Sequence, residues 1–173
     1  MPKTRFSSVV STFIFCYAAW ILFTWSFAAQ ELVIGAIVCV VVAIFTARFF
    51  IHSKAFYLFN PVRLVIFIFY SLVIFVIELI KANIDVAFRS LRPSLPVNPG
   101  IVKVPVGIKS EYGLTMLANS ITLTPGTITM DIADDDGQTV YYVHWIDVKS
   151  QDPISAGDLI KGTMEKWIRR IWD

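Results

Sequence analysis

The side chains able to do chemistry in this 173-residue chain fall mainly in two places. The first is Glu78, Lys81 and Asp85. Glu78 to Lys81 is a step of three and Lys81 to Asp85 a step of four, so one helix face carries all three, with opposite charges in reach of each other. Glu78 follows directly on the uncharged apolar run 64–77. Ionisable groups near the end of a membrane helix are costly and often mark ion or proton routes or subunit contacts. The plainer alternative is a helix that emerges here into headgroups and carries ordinary surface pairs. The second place is residues 117–127, ending in Thr124-Pro125-Gly126-Thr127. That ending superficially resembles a phosphate-binding turn, but it has neither the lysine nor the following helix that such a loop needs, so it reads as a tight turn.

The remaining candidates reduce to structure. His52 and His144 lie far apart, and His144 shares a strand face with Val140, Tyr142 and Ile146, where a histidine serves as a hydrogen-bonding group. Cys16 and Cys39 sit in apolar runs and read as inert buried thiols, neither a disulfide nor a metal pair. Asp134, Asp135 and Asp136 would suit calcium only with an acid or amide where Ile132 stands and a glutamate further on, so they form a solvated turn. No Ser/His/acid set, H-E-x-x-H, Walker loop or Cys-pair motif is present. An enzyme, a cofactor and a resident metal are not expected. Net charge +2 gives no nucleic-acid signal.

The elements that must position these groups follow from composition. The chain is 56% hydrophobic and 16% charged, with mean hydropathy +0.66; soluble domains hold nearer a quarter charged residues. Residues 1–80 carry seven Asp, Glu, Lys or Arg and residues 81–173 carry twenty-one. The first half is lipid-like and the second reads as ordinary soluble protein. Residues 6–30 hold no charge, and a span needs about 20 such residues. Ser26 and Ala28 could flank a signal-peptidase site, but the run is too long for a signal peptide's core and another apolar run follows at once, so a retained span is expected. The second run, 32–47, has 16 residues between Glu31 and Arg48 and is short for a span. The tight connection at 29–31 makes the two an antiparallel hairpin. A basic loop follows, with Arg48, His52, Lys54 and Arg63. The third run starts near Pro61, a natural first-turn residue, and stays helical to about Leu91.

Pro93, Pro96 and Pro99 favour extended backbone and mark a domain boundary. Beyond it, 101–108 reads as a strand with Pro105 at an edge or bulge. Residues 111–123 put Leu114, Leu117, Ala118 and Ile121 on one helix face. Residues 128–132 alternate as a strand, 134–137 turn with a hairpin-type Asp-Gly, and 139–147 return. A helix-start box at 155–158 opens an amphipathic helix of about 17 residues. The predicted fold is an integral membrane α-helical part with two to three hydrophobic helices, then a small α+β (β-α-β-β-α) cytoplasmic module. Its divisions are 1–92 membrane helices, 93–100 proline-rich linker and 101–173 module.

Topology meets a conflict. The positive-inside rule places Lys3, Arg5 and the 48–63 loop in the cytoplasm, and Lys81, Arg89 and Arg92 ask for the same side. Three complete spans cannot satisfy all of these, so either the third run does not fully cross or one basic cluster lies outside. Ser11, Thr12, Thr24, Ser26, Thr46 and Ser71 are the polar lining expected inside the apolar runs, too little for a self-sufficient ion pathway.

The stretch from Glu78 to Val86, E-L-I-K-A-N-I-D-V, followed by 117–127, L-A-N-S-I-T-L-T-P-G-T, and His144-x-x-Asp147, resembles the E-type chain of the Mrp (Mnh) multisubunit cation/proton antiporter. The resemblance runs over nearly the whole chain, and Asn119, Thr122, Thr124, Pro125, Gly126 and Thr127 form its signature turn. It implies an accessory, non-enzymatic, multi-pass component of the cell (inner) membrane. Such a chain would sit in lipid with other membrane subunits of a hetero-oligomer that exchanges Na+ for H+ and whose large chains carry the proton channels. Related chains occur in the membrane arms of energy-converting hydrogenases, and a stand-alone membrane adaptor is the further alternative.

Overall fold

The structure, a computed structural model, describes residues 6–49 and 60–173. His52 and Lys54 of the expected basic loop, with Lys3 and Arg5, lie outside the described residues. Two compact units emerge, Met1–Tyr57 and Leu58–Asp173.

The first unit is a helical hairpin of α1 (Phe6–Thr24) and α2 (Ala29–Phe49). The second helix already begins at Ala29, so the connection falls at 25–28 rather than at 29–31, and α2 reaches 21 residues, long enough to span. Glu31 in its first turn interacts favourably with the helix dipole there. Trp20 lies against Gly35, where a Cβ would come within 2.4 Å of its Nε1, so glycine is what lets the two helices approach. The Tyr17 hydroxyl donates to the Leu32 carbonyl at 3.1 Å. Cys16 and Cys39 are both free.

The second unit begins with a 31-residue helix, α3 (Pro61–Leu91). Asn60 caps it by accepting from the Val62 N–H at 3.0 Å, and Pro61 occupies the first turn, where its missing donor costs nothing. A widened π-type turn spans Tyr70–Ile74. By length and composition α1, α2 and α3 are each apolar enough to cross a membrane.

The module that follows is β1 (Gly100–Pro105), α4 (Glu111–Leu123), β2 (Thr127–Asp135), β3 (Gln138–Trp145), α5 (Pro153–Lys161) and α6 (Met164–Trp172). Its three-stranded antiparallel sheet has the order β1-β3-β2. Pro105 ends β1 at the sheet edge, as a residue without a donor requires. The β2–β3 hairpin turns through Asp136 (φ 52°) and Gly137 (φ 83°), the left-handed pair that a two-residue hairpin needs. The core unites Val102 and Val104 of β1, Leu117 and Ile121 of α4, Tyr141 and Val143 of β3 and Met164, Ile168 and Ile171 of α6. Tyr70 of α3 belongs to it too, 2% exposed, with its hydroxyl donating to Ser120 Oγ at 2.7 Å.

One sequence expectation changes at the carboxyl end. The single long helix is two, broken at Gly162 (φ 50°, ψ −126°), a backbone conformation that only glycine adopts readily. The cap is also earlier than the 155–158 box. Asp152 accepts from the Ser155 N–H at 2.9 Å, and Pro153 fills the first turn. The apolar spacing runs through the break, because both short helices bury the same side; spacing alone therefore concealed it.

Candidate functional site

The two sequence candidates, far apart in the chain, face each other. Glu78, Lys81 and Asp85 on α3 and the Thr124–Thr127 turn line one open cleft of about 280 Å³, closed by Trp145, Ile146 and Lys149 and by α5.

On the α3 side the three groups share a face as expected, but their pairing differs. Lys81 donates to Glu78 Oε1 at 3.1 Å. Asp85 does not pair with Lys81; it accepts two N–H bonds from Arg89, at 2.7 and 3.2 Å. A guanidinium fork matches a carboxylate in a way that one ammonium cannot, so the step of four toward Arg89 wins over the step of four toward Lys81. Arg89 also reaches Asp147 at 2.8 Å and the Pro96 carbonyl at 2.8 Å. It thereby fastens the end of α3 to the proline segment and to Asp147, two residues past β3. Glu78 is partly covered while Lys81 is largely exposed.

On the turn side the hydroxyls are engaged internally. Thr124 and Thr127 both donate to the Ile121 carbonyl at 2.7 Å, satisfying an acceptor that the end of α4 would otherwise leave open. The Thr127 N–H bonds the Thr124 carbonyl at 3.4 Å across Pro125 and Gly126 (φ 93°), the pattern of a type II turn with proline second and glycine third. Thr122 Oγ1 accepts from the Thr129 N–H, tying α4 to β2. The Gly126 carbonyl accepts from the Ile146 N–H at 2.8 Å. A Cβ on Gly126 would press on Ile146 at 2.9 Å and only touch Val86 of α3 at 3.5 Å, so the glycine is what allows the turn to lie against Ile146. Asn119 is exposed on α4 and takes no part in this network of bonds.

His144 sits mid-strand between Ile101 and Ile128, outside the cleft. Sequence reasoning missed Arg89 and Asp147 as cleft-side partners and Tyr70 as a core residue. The Arg89 signal was present as a second step of four from Asp85. Among the described residues no group of three His, Cys, Asp or Glu side chains could hold a metal ion. Chemically the cleft offers the partly covered Glu78 carboxylate beside the Lys81 ammonium, the Asp85 carboxylate held by Arg89, and a second ammonium on Lys149. That suits a packing or docking surface more than a reaction centre.

The comparisons agree with the motif. The family model for a Na+/H+ ion antiporter subunit (MNHE) matches residues 13–171, almost the entire chain. The chain belongs to this family. Its Na+/H+ antiporter relative of the E type in Alkalihalophilus pseudofirmus is 38% identical over 133 residues, covering 77% of this chain and 79% of the relative. The E1-type relative from Staphylococcus aureus strain bovine RF122 / ET3-1 is 32% identical, covering 88% and 89%. A chain of the membrane-bound sulfane sulfur reductase, an archaeal respiratory membrane complex, superposes with TM-score 0.78 at 42% identity, covering 96% of this family member and 99% of that chain.

Proposed function

We propose that the chain is the E-type component of an Mrp-type Na+/H+ antiporter complex, an accessory chain without enzymatic activity that supports assembly of the complex rather than housing its proton channel. Its module lies in the cytoplasm of a cell-membrane complex. The observation that carries the reading is the family match over 13–171 in a chain whose apolar helices hold almost no polar lining. A chain so built can anchor and dock but cannot by itself offer an ion a hydrated path. Glu78 and Lys81, with Asp85 alongside, form a subunit contact or flank an ion route in a neighbouring chain.

The test is complementation of a strain lacking this chain, with Na+-driven collapse of a pH gradient in everted vesicles as one readout and a native gel of the complex as the other. Wild type restores both. Deletion removes the intact complex, and with it antiport. If antiport and assembly persist without the chain, the accessory role fails. Glu78→Ala separates the two roles of the site: lost antiport with intact assembly makes Glu78 part of an ion route, whereas lost assembly makes it a contact.

A second host is favoured by one observation, the 42% identity and full-length superposition on a chain of a respiratory membrane complex. Mass spectrometry of chains co-purifying in mild detergent decides between hosts. Antiporter-type membrane subunits alone support the first, and additional redox subunits support the second.

A further inference from the structure

We propose that α3 does not cross the bilayer but lies along its cytoplasmic surface, with the module on one side of the helix and lipid on the other. α3 touches the module along its whole length. Arg63 donates to the Ile171 carbonyl at 3.0 Å. Tyr70 is in the module's core and bonds Ser120. Glu78 lies 4.0 Å from where a Cβ on Gly162 would stand, and Val86 lies against Gly126. Arg89 holds Asp147. These contacts recur at intervals of three to eight residues from one end of the helix to the other, a length of about 39 Å at 1.5 Å per residue. A span needs about 20 residues facing lipid or other apolar helices. No stretch of α3 that long is free of the module, so a spanning α3 would carry the module, with Glu165, Lys166 and Asp147, into the hydrocarbon. That cost is prohibitive beside the alternative of lying flat.

The opposite face has the character the surface position demands. Val65, Leu72, Ile80, Ile84 and Phe88 are 51–69% exposed, with the exposed Lys81 at the edge of that face. The edges are dressed as interfacial helices are: Trp167 packs on Phe69 with ring centroids 5.2 Å apart, and the Arg170 guanidinium stacks over Trp167 at 4.9 Å. The strong hydropathy that makes α3 read as a span has two sources, one face that fills a protein core and one that meets lipid. The occupant of the outer face is the bilayer and not a soluble partner, because the chain is anchored in a membrane by α1 and α2 and its basic residues then fall on one side. With two crossings instead of three, Lys3, Arg5, Arg48, Lys54, Arg63 and the cluster Lys81, Arg89 and Arg92 all satisfy the positive-inside rule together. This placement does not depend on which complex hosts the chain.

Spin labels test it in the full chain, with Cys16→Ser and Cys39→Ala removing the native thiols. Val65→Cys, Leu72→Cys, Ile80→Cys and Phe88→Cys are labelled one at a time in nanodiscs. Immersion depth is then read from the ratio of collisions with oxygen and with a water-soluble nickel chelate. A helix in the plane puts all four at one shallow depth, about 5–10 Å below the phosphates. A spanning helix puts the middle labels near the bilayer centre and the outer two at opposite surfaces, since about 35 Å of helix separates Val65 from Phe88. That V-shaped depth profile overturns the proposal. So do four labels screened from both reagents, which would mean that protein, not lipid, covers the face. A parallel label at Asn98→Cys, reacting with an impermeant maleimide only in everted vesicles, supports the cytoplasmic side; reaction only in right-side-out vesicles overturns it.

Discussion

At the scale of residues, the chain invests its few polar groups in fastening rather than in reaction. Gly126 shows how. Its φ of 93° costs a side chain about 1–2 kcal/mol, and a Cβ would also press on Ile146 at 2.9 Å. Gly137 has a similar φ of 83° with nothing within 4 Å, so only the first cost applies there. Gly126→Ala should therefore lower the melting temperature of the purified chain clearly more than Gly137→Ala; equal shifts would mean that the crowding is relieved without cost. Arg89 makes the second case. It is 15% exposed and serves Asp85, Asp147 and the Pro96 carbonyl at once. Arg89→Lys keeps the charge but cannot reach three acceptors, and should destabilise by about 1–3 kcal/mol, the scale of charged hydrogen bonds lost in a half-covered site. A melt that places the lysine variant level with wild type would show that charge alone suffices. The stripe of Glu78, Lys81 and Asp85 was legible in the sequence because steps of three and four are local. Its true pairing was not, since Asp147 arrives from another element and biases the choice of Arg89.

At the scale of elements, caps and turns were the most readable features and helix ends the least. Pro-Gly at 125–126 and Asp-Gly at 136–137 dictate turns by backbone chemistry alone, and both formed where expected. Sequence spacing starts α5 three residues late because Asp152 and Ser155 are both competent caps. The structure chooses Asp152, whose following proline suits a first turn. That cap carries a pH prediction. The Ser155 backbone N–H, and then its hydroxyl, hold the Asp152 carboxyl below the usual carboxylate range. A depressed carboxyl contributes stability that is present above its ordinary pKa and is lost as pH falls through its folded value. Asp152→Asn keeps an oxygen acceptor but cannot titrate. Its melting temperature should fall less than that of wild type between about pH 5 and pH 2, and matching slopes in thermal melts across that range would remove the cap from the acid response.

At the scale of the molecule, the division of the chain matters more than any single contact. A count of apolar runs groups α3 with α1 and α2, yet its packed face carries Tyr70, a core residue of the module, and the compact units part at Tyr57 and Leu58. Hydropathy could not reveal this, because a face buried in protein and a face buried in lipid have the same composition. The two groupings predict opposite behaviour on truncation. If α3 belongs with the hairpin, a chain ending at Leu91 should accumulate in membranes as well as one ending at Tyr57. If it belongs with the module, the longer fragment carries a stripped core face, with Tyr70, Ile74 and Phe75 left without Ser120, α4 and α6. Those apolar groups forfeit burial worth about 1.5–3 kcal/mol each for the larger ones and become an exposed patch prone to proteolysis or aggregation. We therefore expect the 1–57 fragment, fused to a fluorescent reporter, to give a higher membrane-fraction signal than the 1–91 fragment, although it lacks the most apolar of the described helices. Restoring residues 92–173 should return the signal to the full-length level. Equal accumulation of the two fragments would assign α3 to the membrane hairpin and dissolve the unit described for 58–173.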